Sequence, residues 1–111
     1  MQTADRQNRI MKEQLPPNAP NYVTAAQTLG VDDHVNLCDS TGGAFAITLP
    51  PVGEAKGCMY SFLLQVDAGN VTIQDQNESQ SWTDLVMTAV GDRALVYSDG
   101  FMWHTLDSVL T

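Results

Sequence analysis

Long apolar runs, cysteine, aromatic side chains and positive charge are all scarce in this sequence, and each scarcity narrows what the chain can do. No stretch approaches the roughly 18 apolar residues of a membrane span, and Met1-Gln-Thr-Ala-Asp-Arg6 lacks the apolar run of a secretory leader. The expectation is a soluble chain made in the cytoplasm, with no membrane partner. Cys38 and Cys58 are the only cysteines. A lone pair at that spacing is neither a CxxC motif nor a zinc set. They read as two reduced thiols buried in strands. Two tryptophans, three tyrosines and three phenylalanines serve all 111 residues. That is enough for one domain with a modest core, which association between copies would supplement.

Positive charge is scarce and unevenly placed. Five Lys and Arg oppose thirteen Asp and Glu, for a net charge of −8. Arg6, Arg9 and Lys12 lie within the first twelve residues, so from residue 14 onward only Lys56 and Arg93 face eleven carboxylates. An acidic body repels phosphate backbones, which argues against direct nucleic-acid binding. The basic segment is too sparse to be a polybasic arm.

The usual catalytic signatures are missing as well. The sequence holds no G-x-x-x-x-G-K-[ST] loop and no G-x-S-x-G elbow. Gly42-Gly43 has no helix after it to present N–H groups to phosphate. Asp32-Asp33-His34 offers metal-ligating types, but neighbours along a strand point to opposite faces and read better as solvated loop residues. Asp75, Glu78 and Asp84 lack the glycine-punctuated spacing of a calcium loop. A thiol from Cys38 or Cys58 paired with His34 or His104 has no supporting motif. His104 reads as an ordinary half-buried residue of the last strand, with a pH-sensitive contact as the alternative. The expectation is therefore a protein that is not an enzyme, without catalytic residues, metal or cofactor. Trp82, beside the polar stretch 75–81, is the candidate for an exposed aromatic contact.

The most legible feature is near the end of the chain. Two runs rich in β-branched, aromatic and apolar residues flank Asp99-Gly100, a dipeptide suited to a type I′ turn. Alternation from Phe101 places Phe101, Trp103 and Thr105 on one side and Met102, His104 and Leu106 on the other. Upstream, Tyr22–Ala26, His34–Cys38 and Ala44–Leu49 read as short strands. In the second, Val35 and Leu37 share a face; in the third, Phe45, Ile47 and Leu49 point inward. Cys58–Val66 is apolar on nearly both faces, with Tyr60, Phe62, Leu64 and Val66 together, and reads as a central strand. Val71–Asp75 is expected to return antiparallel to it, and Leu85–Ala89 supplies another strand. Turn signals recur every eight to twelve residues. The expected fold is all-β, a small antiparallel β-sandwich or barrel of about eight short strands over residues 22–111.

Residues 1–21 differ in kind. Pro16-Pro17 and Pro20 keep the approach to the domain extended. Ahead of them Arg6, Arg9 and Lys12 are mixed with Ile10, Met11 and Leu15, a combination suited to docking on an acidic, partly apolar surface, with a solvated flexible terminus as the alternative.

The order of signals over residues 34–106 also carries a likeness. Ser40-Thr-Gly-Gly43 is followed by Phe45-Ala-Ile-Thr-Leu-Pro50, and Gly57 opens the long strand. Gly69-Asn-Val-Thr-Ile73, Gly91-Asp-Arg-Ala-Leu-Val96, Ser98-Asp-Gly100 and Trp103 complete the series. This series resembles the small β-rich modules of tailed-phage virion proteins, found in head decoration (cement) proteins and in head or tail fibres. The likeness spans about two-thirds of the chain and leaves out the arm. It implies an exposed virion component, commonly trimeric, with no catalytic residues to carry over. In a fibre such a module sits in a much longer chain, so the likeness favours a capsid decoration protein. Such a protein would be a homotrimer on the outer surface of the virion, with its arm on the major capsid protein. The alternative is a fibre-type module that recognises a host glycan.

Overall fold

The computed structural model describes residues 19–78 and 82–111. The described residues form nine strands and no helix. In chain order these are β1 (Asn21–Val23), β2 (Gln27–Thr28), β3 (Val35–Asp39), β4 (Phe45–Thr48), β5 (Met59–Val66), β6 (Val71–Gln74), β7 (Leu85–Met87), β8 (Arg93–Ser98) and β9 (Trp103–Val109). They build two stacked sheets. Sheet A has the order β1-β3-β5-β8-β9, and sheet B the order β2-β4-β6-β7.

The all-β expectation holds, and the architecture is a sandwich with no closed barrel. The antiparallel expectation does not hold throughout. The chain alternates between the sheets through its first six strands, so each turn of the coil adds one strand to A and one to B. Strands laid down one full turn apart run the same way, and β1, β3 and β5 pair parallel, as do β2, β4 and β6. Only the last strands pair antiparallel: β7 on β6, β8 on β5 and β9 on β8. Val71–Gln74 therefore does not return alongside β5. It crosses to the other sheet and pairs with β4. Strands adjacent in sequence usually pair, and that habit points the wrong way here.

The coil is held together at its corners and inside. Ser40, after β3, is buried; its hydroxyl donates to Val66 O and accepts from Ala68 N and Gly69 N. These bonds seat the β5–β6 corner on the β3–β4 corner. A Cβ on Gly69 would stand 2.4 Å from Ala44 N, so only glycine fits this close approach. Between the sheets, Val23, Cys38 and Leu64 form one inward row and Asn21, Asn36 and Phe62 another. The buried Asn36 amide is satisfied within its row: it accepts from Asn21 Nδ2 at 3.0 Å and donates to Asp33 O and Ser61 O. Ile47, Ile73 and Met87 of sheet B face Tyr60, Phe62 and Val96 of sheet A across the core. Each such fully buried side chain contributes about 1.5–3 kcal/mol.

The closing hairpin exists, but its loop is longer than a two-residue turn. Ser98 pairs with Trp103, so residues 99–102 form the connection. Only Gly100 among them has positive φ, at 94°, whereas a type I′ turn needs two such residues. The Asp99 carboxylate replaces that geometry by accepting from Phe101 N and Met102 N, both at 2.7 Å. Phe101 thus belongs to the loop and is 79% exposed, while Trp103 is buried. Val66, expected on the face of Tyr60, Phe62 and Leu64, ends β5 beside a register shift and is exposed, while those three are buried. β5 is central, as expected, the third of five strands in sheet A.

Candidate interaction surface

The two outer faces of the sandwich follow from strand alternation and differ sharply. On sheet A one row runs Tyr22, Leu37, Leu63, Arg93 and Val109 across all five strands. The next row is Val35, Ser61, Leu95 and Asp107, followed by Met59, Tyr97 and His104. Apolar residues dominate these rows, with Tyr22 and Met59 69% and 51% exposed. Sheet B presents Thr28, Thr48 and Gln74 in one row and Ala46, Thr72 and Val86 in the other. Gln74 Nε2 donates to Thr48 Oγ1 along the first of these rows.

The outer face of sheet A is also concave. A groove of about 370 Å³ lies over its middle strands, floored by Val35, Leu37, Leu63 and Leu95 and bordered by Arg93 and Asp107. A second hollow of about 380 Å³ adjoins it, between His34, Cys58, Met59 and Leu95. Fixed charge on this face is limited to Arg93 and Asp107. Asp32, Asp33, Glu54, Asp67, Asp75, Glu78, Asp84 and Asp99 all sit in connections between strands. Asp39, at the end of β3, has its carboxylate turned to Thr41 N and Oγ1.

The sequence-derived candidates fall elsewhere. Arg6, Arg9, Ile10, Met11, Lys12 and Leu15 lie outside the described residues. Trp82 is half-buried against the core, and its Nε1 donates to Asp84 Oδ1 at 3.1 Å. Among the described residues no group of three His, Cys, Asp or Glu is placed to hold a metal ion. Asp33 accepts from Gly30 N, and Glu78 accepts from Val52 N. His34 stacks on Tyr60 with centroids 5.1 Å apart, and its Nδ1 lies 2.9 Å from Met59 O, where only an N–H satisfies the carbonyl.

The thiols are free and differ in setting. Cys38 faces the core, and desolvation pushes its pKa up to about 12. Cys58 is half-buried just ahead of β5 rather than within a strand. It shares the second hollow with His34, yet no hydrogen bond joins thiol to imidazole. His104 is exposed rather than half-buried, and its Nε2 meets Asp99 Oδ2 at 2.8 Å. That bond leads the causes that bring the Asp99 pKa down to about 2, with the Met102 and Phe101 amides behind it.

Sequence reasoning missed the outer face of sheet A, although two signals pointed to it. Cys58–Val66 is apolar on nearly both faces, a pattern that suits a second face covered by a partner. Val35 and Leu37 share a face, but Asn36 and Cys38 take the inward positions, so the two apolar residues look outward. The chain matches no family model, no curated protein and no solved structure.

Proposed function

We propose that this is a virion structural protein that decorates and stabilises a tailed-phage capsid. In this reading it binds the capsomer lattice as a homotrimer, with its N-terminal arm on the major capsid protein. Its work is mechanical: many modest contacts per particle combine through multivalency to clamp capsomers against internal pressure. The observation that carries the reading is the outer face of sheet A, a broad apolar surface on a body whose acidic residues lie mostly in its loops. A surface of that kind is made for a protein contact. The likeness of residues 34–106 to phage head and fibre modules points to a virion, the apolar face suits assembly of the homotrimer, and the basic-apolar arm suits an acidic lattice.

The test uses capsids that lack the protein. Stoichiometric binding that raises the capsid melting temperature, lost on deletion of residues 1–18, is the expected result. Full-length protein that ignores capsids sinks the reading. The glycan-recognition alternative draws support from Phe101, which stands exposed at a loop tip beside Lys56 and offers a flat ring for stacking. A glycan-array signal lost in Phe101→Ala is its signature.

A further inference from the structure

We infer that the outer face of sheet A is where copies of this chain meet, with Arg93 of one copy against Asp107 of the next. The inference rests on the reading above only for the number of copies.

Five strands at a spacing of about 4.8 Å, each about six residues long at about 3.3 Å per residue, give a footprint of roughly 500 Å². Side chains stand off that plane, so the accessible area is larger, on the order of the about 800 Å² per partner of a standard interface. A sheet left facing water keeps a polar outer side, and sheet B does so with its threonines and Gln74. Sheet A carries Leu37, Leu63 and Leu95 in the equivalent positions.

Charge then selects the occupant. The body from residue 14 onward is strongly acidic, so two copies repel unless they meet where that charge is absent. The rows of sheet A hold one cation and one fixed anion, Arg93 and Asp107, which cancel. They stand on neighbouring strands at the groove margin but are not register partners, since Arg93 lies opposite Val109 and Asp107 opposite Leu95. No ion pair joins them among the described residues. Arg93 Nη1 donates to Gly91 O at 3.4 Å, which leaves its other N–H groups and the Asp107 carboxylate to the complementary groups of another copy. Repeated about a common axis, the contact closes a small ring. A different acidic partner would pair with Arg93 and leave Asp107 opposed. A basic partner would do the reverse.

The experiment measures mass in solution by light scattering across about 1–100 µM, a range that spans micromolar association. Wild-type full chain is expected to be a multimer, and Leu63→Asp a monomer with an unchanged circular-dichroism spectrum. Should Leu63→Asp fail to fold, the exposed pair still decides. Arg93→Asp is expected to weaken association about tenfold or more, and the double swap Arg93→Asp with Asp107→Arg to restore it to within about threefold. A wild-type monomer throughout overturns the inference. So does a monomer that multimerises only when residues 1–18 are deleted, which would make that segment the cover. A double swap no better than the single one removes the Arg93–Asp107 contact. Capsid binding is scored separately: a multimer built on this face that ignores capsids breaks the decoration reading alone, and a monomer that decorates them breaks this inference alone.

Discussion

The outer faces of the two sheets are built from the same kind of strand by the same winding chain, yet one is apolar and the other polar. Sheet B ends in threonine and glutamine, side chains that suit a strand and also suit water. Sheet A ends in leucine, valine, methionine and tyrosine, which suit a strand equally but not water. Strand propensity cannot produce that difference, because both sets of residues are good strand formers. It reflects what each face meets. The inner face of sheet A gives the reference point, since there the same strands meet a core.

Adjacent residues of β5 provide the strongest test of that contrast. Phe62 is buried between the sheets and Leu63 lies on the outer face. Phe62→Ala removes a ring from a packed core and is expected to cost about 3–5 kcal/mol. For a chain of this size, that lowers the melting temperature by well over 10 °C. Leu63→Ala is expected to cost about 1 kcal/mol or less in the isolated subunit. Chemical denaturation of both variants at low concentration checks the pair. Equal losses would mean that the outer face is a second core already covered within the subunit, and the contrast between the sheets would fail.

Much of this was legible in the sequence, and the rest was hidden for physical reasons. Short alternating runs gave most of the strands, because the period of two is local. The connection of those strands was not legible: nothing in Val71–Gln74 distinguishes a strand that turns back beside β5 from one that crosses to the other sheet. β2 is two residues long and has no pattern to read. The inward placement of Asn36 was missed because a polar residue normally faces water. Here an amide row with Asn21, closed by backbone carbonyls, satisfies it. The outer face of sheet A was half visible, in a β5 run apolar on nearly both sides. Only the strand registers gather Tyr22, Leu37, Leu63 and Leu95 into one surface.

A prediction of intermediate size concerns the joint where the chain passes from sheet B back to sheet A. Asp92 sits between β7 and β8 with almost no exposure. Its carboxylate accepts from the Thr111 hydroxyl and amide and from Thr88 N and Ala89 N. Those bonds, the Thr111 hydroxyl first, hold its carboxyl well below the usual carboxylate range. A folded-state pKa below the unfolded one stabilises the fold above about pH 4 and loses that effect as the pH falls further. Asp92→Asn is thus expected to lower the melting temperature by several degrees at pH 7. It should also flatten the decline between pH 5 and pH 2, with a residual slope from Asp99. Melting curves across that range check it. Parallel curves for the two proteins would show that the joint between the sheets does not depend on this charge.

The smallest expected effect is on sheet B. Thr72→Val turns the row Ala46, Thr72, Val86 wholly apolar while keeping a β-branched side chain of nearly the same shape. Stability is expected to change by no more than about 0.5 kcal/mol, because the residue is at the surface and both side chains suit a strand. Solution mass is expected to stay as in wild type. The row beside it keeps Thr28, Thr48 and Gln74, so one apolar row does not grow into a surface large enough to hold a partner. Light scattering of the variant beside wild type decides. New, larger species would mean that a single hydroxyl keeps sheet B apart from its neighbours. The two faces would then differ in degree, and sheet A's apolar rows would lose their claim to a dedicated partner.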